Sequence, residues 1–401
     1  LNLSSTNIGI KGGNFIFDYL FNQNSIISLD LSSKEGIYRN RICSEGVKLV
    51  ENVLQKNIIL EKLDLSTNSI KNKGLEYIVN GLKSNISLQT LILSNNEINQ
   101  KGISYMESNL DSCNLNYLDL SYNPISNEGL ISLGNCLSGE QLKEIKYLNV
   151  AGCEFFFDSF KSFIKKISKN HQIQTLIFNN NNLCNNNWDR LEDVFKRMAI
   201  QNLSLGSCGL GPVIYNIAPL FIRNATIKYL DFSHNQINDK GFENFHDYPM
   251  HNISLEEIDF STNYISDKSA STFFKNLLFN NNIRRLNFCD NHLRSESALA
   301  ILQVLKRNNS ILNLNLKYNI IGVKILKEIN KQIYYNKIDE KGKFIPKLKE
   351  ELKELEFEPK EIHLLKDKIL KSRKESEFLH SKLREDIKMY KNCQNIIFGC
   401  I

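Results

Sequence analysis

Leu60-Glu61-Lys62-Leu63-Asp64-Leu65-Ser66-Thr67-Asn68-Ser69-Ile70, with Gly74 four residues beyond, decides how the rest of this chain is read. Its pattern is LxxLxLxxNxI followed by a glycine. The same frame returns as Leu88, Leu91, Leu93, Asn96, Ile98, Gly102 and again as Leu115, Leu118, Leu120, Asn123, Ile125, Gly129. The first apolar residue of each LxL pair falls at Leu1, Leu29, Leu63, Leu91, Leu118, Leu148, Leu176, Leu203, Leu230, Ile258, Leu286 and Leu314. Successive spacings are 27 to 30 residues, apart from one of 34 between Leu29 and Leu63. A fixed period of this kind signals stacked repeats, because a single unit cannot bury both its strand and its helix face.

Each position has an expected task. LxL alternates sides as a short strand does, sending both leucines inward and the residue between them outward. The asparagine is expected to satisfy backbone groups in the turn that follows, with Cys153 and Cys208 in that place in two repeats. The glycine is expected to relax the turn into a helix over residues 74–85, with Leu75, Ile78 and Leu82 on one face. Trp188 falls in the place of Leu75 and is expected in the core.

With its period near 28 residues, the frame resembles the leucine-rich-repeat superfamily, in particular its ribonuclease-inhibitor-like type. The resemblance covers Leu1 to about Ile321. It implies an α/β horseshoe solenoid, with a parallel sheet inside and a full helix per repeat outside, followed by an α-helical, coiled-coil-like tail. The expected boundaries are 1–322 for an array of about twelve repeats, 323–343 for a closing helix and linker, and 344–401 for the charged tail. The fold serves many functions, so function has to be read from the sites.

Departures from the frame mark candidate sites. The 34-residue spacing holds an insertion, residues 34–39, before Asn40 restores the frame; it reads as a surface loop, or as a partner contact through Tyr38 and Arg39. In Cys153-Glu154-Phe155-Phe156-Phe157, Phe155 takes the isoleucine place. Phe155 belongs in the core, and the core is also the better expectation for the rings around it, an outward apolar patch being the alternative. The outward residues of the strands form a ladder in which Asp30, Asp64, Asp119, Asp231 and Asp259 are acidic and none is basic. Tyr117, Tyr147 and Tyr229 lie two residues before their ladder positions and project to the same side. A mildly acidic concave face carrying tyrosines suits a basic protein segment, against the plain reading that LDLS is simply a common filling of the frame.

Composition separates the tail from the array. Residues 323–401 hold 19 Lys+Arg and 14 Asp+Glu, against totals of 50 and 44 for the whole chain. The array is thus close to electrically neutral, which argues against a nucleic-acid binder. In the tail, Ile345, Leu348, Leu352 and Leu355 are spaced 3-4-3 residues apart, and Ile362, Leu365, Ile369, Leu379 and Leu383 continue a heptad-like seam broken by Ser372 and Ser376. A stripe of that kind is expected to dock a partner helix.

The nine cysteines include no CxxC pair, and the seven histidines lack metal spacing, so free thiols in a reducing cytoplasm are expected. P-loop, GxGxxG, HExxH and GxSxG motifs are absent, so no enzyme activity, cofactor, metal or small-molecule substrate is expected. No apolar run reaches the ~18 residues of a membrane helix, and no signal peptide is visible at Leu1. The lack of a capping segment before Leu1 suggests that repeats or another domain precede it in a longer protein. Sequons such as Asn85–Ser87 and Asn252–Ser254 read as chance in an asparagine-rich sequence.

The expected function is a protein-holding scaffold in a large cytoplasmic assembly. The asparagine-, lysine- and isoleucine-rich wording is similar to proteins of AT-rich protist genomes, and leucine-rich-repeat proteins with helical extensions are frequent in ciliary axonemes, so the cilium enters by analogy. Two alternatives come with the resemblance. One is a GTPase-activating regulator of a Ran-like GTPase, against which the basic tail counts. The other is an innate-immune-type sensor array, which would need a nucleotide-binding domain upstream.

Overall fold

The computed structural model describes residues 1–23, 25–33 and 38–342. Eleven three-residue strands form one parallel sheet in chain order. They are β1 (Ser28–Asp30), β2 (Lys62–Asp64), β3 (Thr90–Ile92), β4 (Tyr117–Asp119), β5 (Tyr147–Asn149), β6 (Thr175–Ile177), β7 (Asn202–Ser204), β8 (Tyr229–Asp231), β9 (Glu257–Asp259), β10 (Arg285–Asn287) and β11 (Asn313–Asn315). The first frame, at Leu1, contributes only the bridge between Asn2 and Asp30. Every strand centres on its frame leucine or isoleucine, and these residues pair in register, as Leu29 with Leu63 and Leu286 with Leu314. One continuous apolar core runs from Phe17 to Ile333.

Asn96 shows how the repeats are joined. Its Nδ2 donates to the carbonyls of Leu65 (2.8 Å) and Leu93 (3.1 Å), while its Oδ1 accepts from the N–H groups of Asn68 (2.9 Å) and Ile70 (3.3 Å). One buried amide therefore satisfies backbone groups of two successive repeats. Asn40 makes the equivalent bonds to Leu3 and Leu31 carbonyls, confirming that the frame resumes after the insertion. Cys153 and Cys208 stand in this ladder with their thiols on the carbonyls of Leu120 and Phe178, both at 3.3 Å. Burial pushes both thiols up to about 12, so they serve as neutral donors.

A second asparagine ladder lies where each helix returns to the sheet. Asn85 donates to the carbonyls of Leu54 and Asn57 and accepts from the N–H of Leu88; Asn252 repeats this with Phe221, Asn224 and Leu255. The sequons are therefore structural. The hydroxyls of Ser87 and Ser254 donate to the carbonyls of Asn57 and Asn224, and Asn252 is only 2% exposed, out of reach of a glycan in the folded chain.

The glycine of the frame has a different task from the expected one. Helix Lys71–Leu82 already runs through Gly74, and a Cβ there would lie 2.7 Å from Ile70 Cβ and 3.1 Å from Val47 Cγ2. Gly74 leaves room for Ile70 of its own repeat and for Val47 of the preceding one, rather than relaxing a turn.

The expectation of a full helix in every repeat also needs correction. Helices of ten to thirteen residues cover residues 71–82, 100–109, 126–138, 157–167, 267–276 and 295–305. Between them the outer layer shortens to Glu192–Arg197, Ile214–Ile222, Asp239–Phe242 and Tyr248–His251, with 3₁₀ turns alongside. Here large rings fill the core: Trp188, Phe195, Phe242, Phe245 and Tyr248 are fully buried, and Pro249 opens the last of these short helices. Pro249 lies in the first turn of its helix, where its missing N–H costs no helical hydrogen bond.

Helix Val323–Gly342 closes the strand series. Its Asn336 keeps the second ladder in register by donating to the carbonyls of Asn308 (3.1 Å) and Ile311 (3.0 Å). Contacts divide the chain after Lys337, and the array Leu1–Lys337 is described by itself.

Candidate functional site: the open face of the sheet

Two rows of side chains point away from the helices. One runs Asp30, Asp64, Ile92, Asp119, Asn149, Ile177, Ser204, Asp231, Asp259, Asn287, Asn315, held in register strand by strand. The other, two residues earlier, includes Lys62, Tyr117, Tyr147, Tyr229, Glu257 and Arg285. Most of these residues are half-buried, as expected for a sheet face that no layer of described residues covers.

The predicted acidic ladder is present, but its members differ in what they already hold. Asp64 Oδ1 accepts from the N–H (2.9 Å) and hydroxyl (2.6 Å) of Ser66, capping its own turn. Asp119 does the same with Ser121, and its second oxygen takes the Asn149 amide at 3.0 Å. Asp259 is equally occupied, by Ser261 on one oxygen and Asn287 (2.7 Å) on the other. Asp231 is only 5% exposed and accepts from the Ser204 hydroxyl, the Asn179 amide (3.2 Å) and the Ser233 N–H (2.8 Å). Asp231 is a structural carboxylate at the base of the face.

Among the described residues Asp30 accepts only from the Ser32 N–H, at 2.9 Å, and it stands in register with Asp64. Burial, followed by Asp30 among the smaller contributions, raises the Asp64 carboxyl above its ordinary value, against the lowering pull of Ser66.

Tyr117 and Tyr147, on neighbouring strands, stack with centroids 3.9 Å apart and planes 6° from parallel. Partial burial raises both phenols, Tyr117 further because its hydroxyl also bonds Tyr147. Tyr229 is not part of this pair: β6 and β7 separate it from Tyr147, and burial followed by Asp231 and Asp259 raises its phenol. Glu257 is paired with Arg285 at 2.5 Å.

Other candidates lie off this face. Tyr38 and Arg39 are exposed on the loop rim, where the Tyr38 carbonyl accepts from the Asn7 N–H. Phe155, Phe157, Phe160 and Phe163 are core, packed around Trp188 and Phe178; Phe156 alone of this group points outward, 55% exposed. The tail residues Leu348, Leu352, Leu355, Ile362, Leu365, Ile369, Leu379 and Leu383 lie outside the described residues.

Among the described residues, no group of three or more His, Cys, Asp or Glu could hold a metal ion, and no helix is long and apolar enough to cross a membrane. One recess on the loop rim, about 260 Å³, is lined by His234, Thr262, Tyr264, Asp290 and His292. It falls below the roughly 300–1,000 Å³ of ligand pockets.

The chain carries leucine-rich repeats: the family model described as "Leucine Rich repeat" matches residues 56–79, 84–106, 111–134 and 223–245. Among solved structures it is similar to the leucine-rich repeat-containing protein LegL7 from Legionella pneumophila, at 15% identity over 83% of this chain and 98% of that one, TM-score 0.46. It is also similar to the TLR13–ssRNA13 complex structure, at 16% identity over 76% of this chain and 37% of that one, TM-score 0.45. A third similarity is to the tropomodulin C-terminal domain of Caenorhabditis elegans, at 8% identity over 40% and 99%, TM-score 0.35. No curated protein matches the sequence. Likenesses this distant leave the partner unassigned.

Proposed function

We propose that this chain is a non-enzymatic scaffold that holds a segment of another protein along the open face of its sheet, within a large cytoplasmic assembly such as the cytoskeleton or the ciliary axoneme. The supporting observation is the continuity of that face. Eleven strands in register present two unbroken rows of side chains. At ~4.8 Å per strand step this lane is about 48 Å long, room for an extended segment of about 14 residues. Such a surface suits a chain better than a small molecule. The tail from residue 344, with Leu348, Leu352, Leu355 and its second apolar stripe, supplies a separate helical docking element.

Affinity purification of the full chain beside two variants tests this. In one, Ile92→Arg and Ile177→Arg place charge and bulk mid-face; the other lacks residues 344–401. Each variant is expected to lose a different set of co-purifying proteins. Unchanged partners in the face variant would overturn the open-face reading, and unchanged partners in the truncation would overturn the tail's role. Marked stimulation of GTP hydrolysis by a small GTPase would favour the regulator reading instead.

A further inference from the structure

We propose that the segment held on the open face is cationic, and that it seats on the β1–β5 end through two arginines about four residues apart. This rests on the scaffold reading and names the chemistry of its partner. Of the five ladder aspartates, Asp119, Asp231 and Asp259 have both oxygens engaged or are buried, and Glu257 is matched by Arg285. A cation arriving there would have to displace internal donors.

Asp30 and Asp64 differ. They are register neighbours on adjacent strands, and among the described residues each receives hydrogen bonds on one carboxylate oxygen only. Two like charges about one strand spacing apart, ~4.8 Å, suit a guanidinium, whose planar fork can donate to both at once. Lys62 stands two residues from Asp64 on the same face, so among the described residues of these strands Asp30, Asp64 and Asp119 still outnumber the cations.

The Tyr117–Tyr147 stack lies further along the same lane, past Ile92. From the middle of the carboxylate pair to the middle of the tyrosine pair is three strand steps along the lane and one row across it, about 16 Å. An extended chain covers that in about four to five residues, which places a second guanidinium beside the stack, in cation–π contact with an outer ring face that the Tyr117–Tyr147 pairing leaves free. Ile92, between them, gives the intervening residues an apolar floor.

The test uses the full chain and a short labelled peptide of glycine, serine and alanine carrying two arginines four positions apart, read by fluorescence anisotropy. A peptide with glutamines in place of the arginines is the reference. The arginine peptide is expected to bind about tenfold more tightly than the glutamine peptide, with the advantage shrinking as salt rises. Asp30→Asn with Asp64→Asn, which keeps an acceptor for each turn, is expected to remove most of that advantage. Tyr117→Ala is expected to weaken binding several-fold, and Asp290→Asn on the loop rim to leave it unchanged. Thermal melting confirms that each variant is folded; Tyr117→Phe retains the stack and should retain binding. Equal binding of the two peptides, no binding of either into the millimolar range, or an Asp290→Asn loss equal to the double variant's would overturn the inference. If the arginine preference fails while Ile92→Arg with Ile177→Arg still loses partners, the scaffold stands and only its cationic occupant falls.

Discussion

The pair Asp30 and Asp64 and the pair Asp231 and Asp259 fill the same repeat position on adjacent strands of one sheet, yet they are in different chemical states. The second pair is enclosed by donors from its own array: Ser204, Asn179, Ser233, Ser261 and Asn287. Among the described residues, the first is bonded only by the backbone and hydroxyl groups of its own turns. A repeat position therefore does not carry a function by itself. Whether a carboxylate is structure or contact surface depends on what the neighbouring repeats offer it.

The largest effect expected from this difference is on stability. Asp231→Ala leaves buried Ser204 and half-buried Asn179 without their acceptor and should cost about 2–3 kcal/mol, read by urea denaturation. Asp64→Ala at the other end should cost less than about 1 kcal/mol, since a half-exposed turn cap is lost and a like-charge neighbour removed. Similar losses at both ends would erase the comparison.

Next in size is the aromatic pair. Removing one ring with Tyr117→Ala should cost about 0.5–1.5 kcal/mol for the stack alone, while Tyr117→Phe should be close to neutral. A loss from Tyr117→Phe as large as that from Tyr117→Ala would mean that the hydroxyls, and not the rings, hold the pair.

Smallest is a difference in acid response. The Asp64 carboxyl is raised on folding, so its protonated form is favoured, and that contribution is lost as pH rises through its folded value. Asp64→Asn should therefore melt slightly higher than the parent at neutral pH, with the gain vanishing in acid. Asp239 is lowered: burial opposes the ionised form, but hydrogen bonds from Ser266 and Ser269 outweigh it. Its contribution is present above the ordinary carboxylate range and lost as pH falls. Asp239→Asn should melt lower at neutral pH, the difference closing in acid. Melting curves from neutral pH into acid check both; shifts of the same sign would contradict the assignment.

Much of this was legible beforehand. The strands, their register and the first asparagine ladder follow from LxxLxLxxN, because burial and backbone satisfaction leave few alternatives at those positions. The second ladder carried a signal that went unread: Asn57, Asn85, Asn224, Asn252, Asn280 and Asn308 each stand three residues before the first apolar residue of the next frame. Gly74 was placed correctly but misassigned, because the crowding by Val47 comes from another repeat. The shortened helices around Trp188 and Pro249 were not legible, because the period marks where a helix falls and not how long it runs. On the open face, the next ladder residue tells the fate of Asp119 and Asp259 but not of Asp231, which like Asp30 precedes an aspartate and takes its donors from Ser204, Asn179 and Ser233. Asp119 precedes Asn149 and Asp259 precedes Asn287, each an amide donor, whereas Asp30 precedes another aspartate.

The most direct test of unequal ends on one face places a photo-reactive side chain at Ile92 in one full-length variant and at Asn287 in another, each mixed with the two-arginine peptide and irradiated. This account predicts efficient peptide capture from position 92 and little from position 287. Equal capture from both positions, or stronger capture from 287, would contradict it.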